Sequence, residues 1–335
     1  MSGLATALSL QRHGFNVQIY EKNPALCALG IGLTLTPDGL SHLEAIQPGM
    51  IGLLEQTGSK LHRIILSDRT GETLASKSID KERSLFTIQE SRLQAILASA
   101  LPSNAIQFRH RCVGYEPLNN QVKLFFANGE TVETDLLIGA DGINSAVRQT
   151  LISDGFPNFT DHVWWGAVVQ FEHKQLHPNT SLLFNGTDGE RFSLFNVGEG
   201  YTFWSASIRS IDDFSNQRGI SPKNRVLKRF FDWTDPIGAI VAATPEEAIL
   251  ETPLCDRFSL QRWSQGRVTL IGDAAHPILP ALEQGVNVII EDAHKLADCL
   301  ATASDVETAL KAYDNRRILH GVSEKLTPLV CLEKR

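Results

Sequence analysis

Short apolar runs that stop at a glycine and an aspartate recur along the chain, each followed by a segment with helical spacing. Val268 to Ile271 suits a strand buried on both faces, and Gly272 and Asp273 end it with a carboxylate at the strand's carboxyl edge. Ala274 and Ala275 leave room for a close approach, and Pro277 stiffens the turn. Gln284-Gly285 then precedes a helix whose first N–H groups lack internal partners. Leu136 to Ile138 repeats this layout, with Gly139 and Gly142 in the turn, Asp141 at its mouth and Ser145 placed to start a helix. At the start of the chain, Ala7, Leu8 and Leu10 give a helix an apolar face. Asn16 to Tyr20 reads as the following strand, with Glu21 at its end.

Between roughly 162 and 208 the pattern changes. His162 to Val169 and Tyr201 to Ser207 read as strands rich in aromatic and β-branched residues, with Asn185-Gly186 and Asp188-Gly189 as turns between them. Leu296 to about Leu326 reads as helical. The whole predicts an α/β fold with a discontinuous first domain. Residues 1–155 supply its first part, with a small β insertion near 60–85. Residues 156–255 form a mainly antiparallel sheet, and 256–335 return to the first domain and add a C-terminal helix. Ligands of open α/β sheets sit beyond the strands' carboxyl edges, which makes Asp141 and Asp273 the candidate site.

Composition narrows the partners. The 335 residues are 42% hydrophobic and 21% charged, enough for one large or two interleaved domains. Lys and Arg number 31 against 38 Asp and Glu, a net charge of −7 with no basic block, which argues against nucleic acid. Cys27, Cys112, Cys255, Cys299 and Cys331 are scattered without C-x-x-C spacing, so neither a metal site nor a disulfide framework is expected. A reducing cytoplasm is the simplest home. No apolar run approaches the roughly 18 residues that cross a bilayer, and the start does not have the pattern of a signal peptide.

The run Gly272-Asp273-Ala274-Ala275-His276-Pro277, with Gln284-Gly285, Asn287 and Glu291-Asp292-Ala293, resembles the flavin-ribityl motif of single-component FAD-dependent aromatic hydroxylases, the salicylate hydroxylase-like group in particular. Asp135 to Arg148 resembles their DG motif. The resemblance implies a Rossmann-like FAD-binding domain with an inserted, mainly antiparallel substrate-domain sheet over one side of the flavin. Asp273 would accept from ribityl hydroxyls beside Pro277, and the backbone of Gly285, Val286 and Asn287 would face the pyrimidine edge. A helix start aimed there favours the negative charge of a reduced flavin. Asp141 and Gly142 would lie near the pyrophosphate and take part in NAD(P)H use. Arg148 would touch phosphate or else be a solvated helix charge. Gly3 matches only the last glycine of G-x-G-x-x-G, and Glu21, 18 positions later, matches the ribose-binding acid. The first strand and first two glycines are missing. The chain therefore reads as truncated at its start, and its parallel sheet is expected to lack a central strand.

One position departs from the family, which commonly carries an Arg three residues before a Leu. Here Glu90 stands at that spacing before Leu93, with Arg92 two residues off. Arg92 reaches a phosphate if the helix starts differently and otherwise faces solvent. His276 is a structural turn position or a weak candidate for catalytic base. Trp164, Trp165, Phe203 and Trp204 are candidates for an aromatic pocket, half of them plain core if strands alternate. By resemblance, NADH or NADPH reduces FAD, and O2 forms a C4a-hydroperoxide that passes one oxygen to an aromatic or polyketide-like small molecule. The rivals are another flavin oxidoreductase, an epoxidase or a reductase, and an inactive truncated paralogue that only binds. A homodimer is left open.

Overall fold

The structure, a computed structural model, describes residues 1–26, 30–209, 219–278 and 285–324. Cys27, Cys331, Gln284 and the end of the helix expected to reach Leu326 lie outside the described residues. Ile19–Glu21 pairs in parallel with Ile106–Phe108. Leu137–Gly139 pairs in parallel with Val268–Leu270, which Ser264–Gln265 flanks antiparallel. These strands form two separate sheets, and no described strand joins them. The strand expected from Asn16 is shorter, because its ladder extends only as far as its single partner, 106–108. Around both sheets pack the helices Ser2–Arg12, Pro37–Ile46, Gly285–Thr302 and Val306–Glu324, sharing one apolar core that includes Leu8, Leu43, Leu270, Ile290 and Leu310.

The continuous helix expected over 296–326 is two helices, broken at 303–305. The break has a local cause. Asp305 accepts from the Thr308 N–H at 2.9 Å and from its hydroxyl at 2.8 Å, capping the start of the second helix. Helical periodicity carries across so short a break, which is why the pattern alone reads as one helix.

The second region is a seven-stranded sheet in the order 250–256, 158–170, 201–209, 191–196, 180–185, 63–68, 73–78. Both expected strands are present and longer than their apolar patterns, and the two glycine turns lie together in the 180–196 hairpin. Strands fall where the small β insertion was expected near 60–85. Arg63–Asp68 runs parallel to Thr180–Asn185 and Thr73–Ser78 closes the edge, so these strands complete the large sheet. Ile64 has its partner at Ser181, more than a hundred residues away, a pairing with no local signal.

Strand alternation separates the aromatic residues onto two faces. Trp165 and Trp204 face the helices Pro222–Arg229 and Ile237–Ala243, where Trp165 Nε1 donates to Glu251 at 2.5 Å and Trp204 Nε1 to Thr244 at 2.9 Å. Trp164, Phe195 and Phe203 lie on the other face, packed with Ile31. Gly32 lies so close to that face that a Cβ would stand 2.6 Å from Phe203, so the Gly32–Leu35 strand bridges the two regions.

Candidate functional site

Asp273 sits where the Val268–Leu270 strand ends in a short 3-10 turn, Gly272–Ala274. Gly272 takes φ +59°, and a Cβ there would collide with Ser2 Oγ and stand 3.3 Å from Ile289, so the turn presses between two helices. Burial raises the Asp273 carboxyl above the ordinary range, opposed by His276, the Ile278 N–H and the amino group of Met1. Glu21, Glu90 and Asp273 all act on that buried amino group, whose pKa burial lowers. These three acids, two of them at the ends of the 19–21 and 268–270 strands, are each half-buried.

Glu90 opens the Glu90–Ser99 helix. Burial raises its carboxyl too, and its Oε2 has no hydrogen-bond partner, nor has the neighbouring Gln89 Nε2. Arg92 does not face open solvent. It pairs with Glu199 from the loop between strands 191–196 and 201–209, joining the helix to the sheet. Gly3 packs against Ala140, where an added Cβ would make only ordinary contact at 3.8 Å. Gly285 opens the 285–302 helix, where an added Cβ would meet no atom of the described residues within 4 Å, and Val286 is buried. The Asn287 side chain is engaged within the protein. Its Oδ1 accepts from Thr36 N–H at 2.9 Å and its Nδ2 donates to Thr34 O at 2.9 Å, so it pins strand 32–35 to the helix. Pro277 is buried within the turn.

At the other motif, the Asp141 carboxylate accepts from the Ser145 hydroxyl, from Ala146 N–H at 2.7 Å and from Val147 N–H at 3.2 Å. With the Ser145 Oγ accepting from Arg148 N–H at 2.8 Å, it caps the Ala146–Ile152 helix. Gly142 allows φ +77° in the turn before it. Arg148 is not a solvated charge. Its side chain is 0% exposed, pairs with Asp154 through Nε at 2.8 Å, and donates through Nη1 to Ala274 O at 3.1 Å and Ala275 O at 3.0 Å. It braces the Asp273 turn from behind, and a short seven-residue helix gave no periodicity from which to read its burial.

His276 is 4% exposed, donates or accepts through Nε2 with Asp292 Oδ2 at 2.6 Å, and stacks on Trp263 with centroids 4.5 Å apart. Its Nδ1 is buried without a partner. With His276 only 4% exposed, this position suits a clasp. Asp292 also accepts from Gly272 N–H at 3.3 Å and from Arg317 Nε at 2.6 Å. Burial alone would raise its carboxyl, but His276 and Arg317 outweigh it and hold it low. Asp292 entered the sequence reading only as part of the motif run, without a role, and Arg317 was not singled out. The signal was their charge on buried helical stripes, Asp292 beside Val288 and Leu296, and Arg317 after Leu310 and Tyr313.

This arrangement fits the hydroxyl-bearing parts of FAD. Burial raises the half-buried Asp273 carboxyl, and among the described residues Glu90 Oε2 and Gln89 Nε2 have no hydrogen-bond partner. Among the described residues no helix is long and apolar enough to cross a membrane.

Comparison with known proteins agrees with this geometry. A family model described as an FAD binding domain matches residues 1–325. The chain is 33% identical to 3-amino-4-hydroxybenzoate 2-monooxygenase PtnB3 of Streptomyces platensis, over 95% of this chain and 82% of that protein. It is 28% identical to aurachin C monooxygenase/isomerase of Stigmatella aurantiaca, over 95% and 83%. The Klebsiella pneumoniae HpxO structure, complexed with FAD and uric acid, superposes with a TM-score of 0.86 at 23% identity, covering 97% of this chain and 85% of that one, and supports the fold.

Proposed function

Since the chain belongs to the FAD-binding-domain family of flavoprotein monooxygenases, we propose that it hydroxylates an aromatic or polyketide-like small molecule using FAD, NADH or NADPH, and O2. Bound FAD would supply the redox chemistry, taking two electrons from the nicotinamide so that one oxygen atom enters the substrate and the other leaves as water. The chain's residues hold, orient and screen. Asp273 accepts from ribityl hydroxyls, and its half-buried place in the turn where the 268–270 strand ends is the observation that carries the reading. Glu21, at the end of the 19–21 strand, accepts from ribose hydroxyls. The first turn of the 285–302 helix, from Gly285 to Asn287, favours negative charge placed before it.

Asp141 and Gly142 act at the pyrophosphate side through the turn they shape. Arg148 works by bracing, since its donors already serve Asp154 and two carbonyls. The sheet face bearing Trp164, Phe195 and Phe203 supplies a flat apolar wall suited to a planar ring. The free thiols of Cys112 and Cys255 suit a reducing cytoplasm. The test is a coupled one. NAD(P)H oxidation in the presence of a phenolic acid, with 18O2 as oxidant, should place one labelled oxygen in a new hydroxyl group. Label in an epoxide would favour the epoxidase, turnover without label the reductase, and no flavin retention a binding-only role. Light scattering of the same sample separates monomer from homodimer.

A further inference from the structure

The turn that carries Asp273 is closed on itself, because the N–H groups of Ala275 and His276 both donate to Gly272 O at 2.9 Å. That closure fixes the turn's shape but not its tilt. Asp292 fixes the tilt. One oxygen, Oδ2, meets Gly272 N–H at 3.3 Å and His276 Nε2 at 2.6 Å, one contact at each end of the turn. Its other oxygen accepts from Arg317 Nε at 2.6 Å, and Arg317 also pairs with Glu291 at 2.8 Å. The His276 ring is held flat by Trp263, which meets Tyr313 edge-on at 5.7 Å. His276, Asp292 and Arg317 are 4%, 0% and 1% exposed.

Buried ionic groups are a poor means of stability, because desolvation consumes much of the Coulombic gain. The unpartnered Nδ1 of His276 and hydroxyl of Tyr313 add to that cost. An apolar contact would hold the turn as well but would not fix a direction. Directional hydrogen bonds do.

We propose that His276 and Asp292 are positioning residues for the cofactor. The pair aims the Asp273 carboxylate at the ribityl hydroxyls, and through Arg317 it makes flavin retention depend on the 306–324 helix. This rests on the reading of Asp273 as the ribityl acceptor.

Two substitutions of His276 in the full chain test the proposal. His276→Phe keeps a ring on Trp263 and loses the donor, whereas His276→Gln loses the ring and keeps a donor toward Asp292. The readouts are the FAD dissociation constant from fluorescence quenching, the visible circular dichroism of the bound flavin, and the melting temperature of the flavin-free protein. His276→Phe should weaken FAD by at least about tenfold and alter the flavin dichroism, while His276→Gln stays within about threefold of the parent. A Gln variant as weak as the Phe variant would overturn the proposal, as would affinities that simply follow the melting temperatures. If His276→Phe does not fold, Arg317→Gln replaces it. An unchanged FAD constant there overturns the proposal, and a loss of about tenfold supports it. Asp273→Ala separates the two levels. Unchanged affinity in that variant removes the underlying reading, whereas loss there with parental affinity in His276→Phe removes only the positioning role.

Discussion

The turns at Asp141 and Asp273 share one sequence layout, an apolar strand, a glycine, an aspartate and a helix, yet their carboxylates have different environments. Asp141 is exposed and accepts from Ser145, Ala146 and Val147, all at the start of the helix it caps. Asp273 is half-buried, and desolvation raises its carboxyl. The difference lies in the stretch of chain after each aspartate. After Asp141 a helix begins within five residues, and its free N–H groups claim the carboxylate. After Asp273 the next described helix is Gly285–Thr302, whose N–H groups lie farther along the chain. A motif read from residue types gives the carboxylate's location. The distance to the next unpaired donors decides whether it serves the fold or a ligand.

Arg148 links the two turns, and removing it should have the largest effect. Arg148→Met leaves Asp154 buried beside Arg257 alone and frees the carbonyls of Ala274 and Ala275, so urea unfolding should show a loss of about 3–5 kcal/mol. Asp273→Ala should come next, weakening FAD by roughly a hundredfold, about 3 kcal/mol, in a fluorescence titration. The same site predicts an opposite effect on the flavin-free protein. The folded-state pKa of Asp273 is raised, so its favourable contribution is complete below the unfolded value of about 3.9 and is lost as pH rises through the folded value. Asp273→Asn should therefore match the parent's melting temperature in acid and exceed it at neutral pH. A melting curve that falls equally at both pH values would contradict the description of Asp273 as a desolvated acid.

Gly272→Ala adds a side chain at φ +59° against Ser2, and should cost about 2 kcal/mol of stability along with some flavin affinity. Asp141→Ala, at the smallest end, removes a helix cap worth about 1 kcal/mol and should change flavin affinity less than Asp273→Ala does. If Asp141→Ala releases FAD as completely as Asp273→Ala, the contrast between the two turns fails.

The strand ends, the glycine turns and the middle sheet were legible because period-2 and period-3.6 patterns are local. That strands 63–68 and 73–78 join the large sheet was not legible, because their partner, 180–185, is remote in sequence. The roles of Arg148 and Asn287 were hidden for a related reason. Side-chain type gives the donors they carry, but the acceptors, Ala274 O, Ala275 O and Thr34 O, are backbone atoms of other segments that sequence alone cannot bring near. The split of Trp164 from Trp165 was legible in principle, since neighbours on a strand must face opposite ways, but which face meets the flavin region depends on the Gly32–Leu35 crossing.

The most direct test is the visible spectrum of the purified 335-residue chain and its Asp273→Ala variant, each incubated with FAD and passed through gel filtration. Protein-shifted flavin bands that stay with the parent chain and are lost from the variant are the predicted result. Equal flavin in both peaks, or a colourless parent peak, would contradict the assignment of Asp273 as the residue that holds the cofactor.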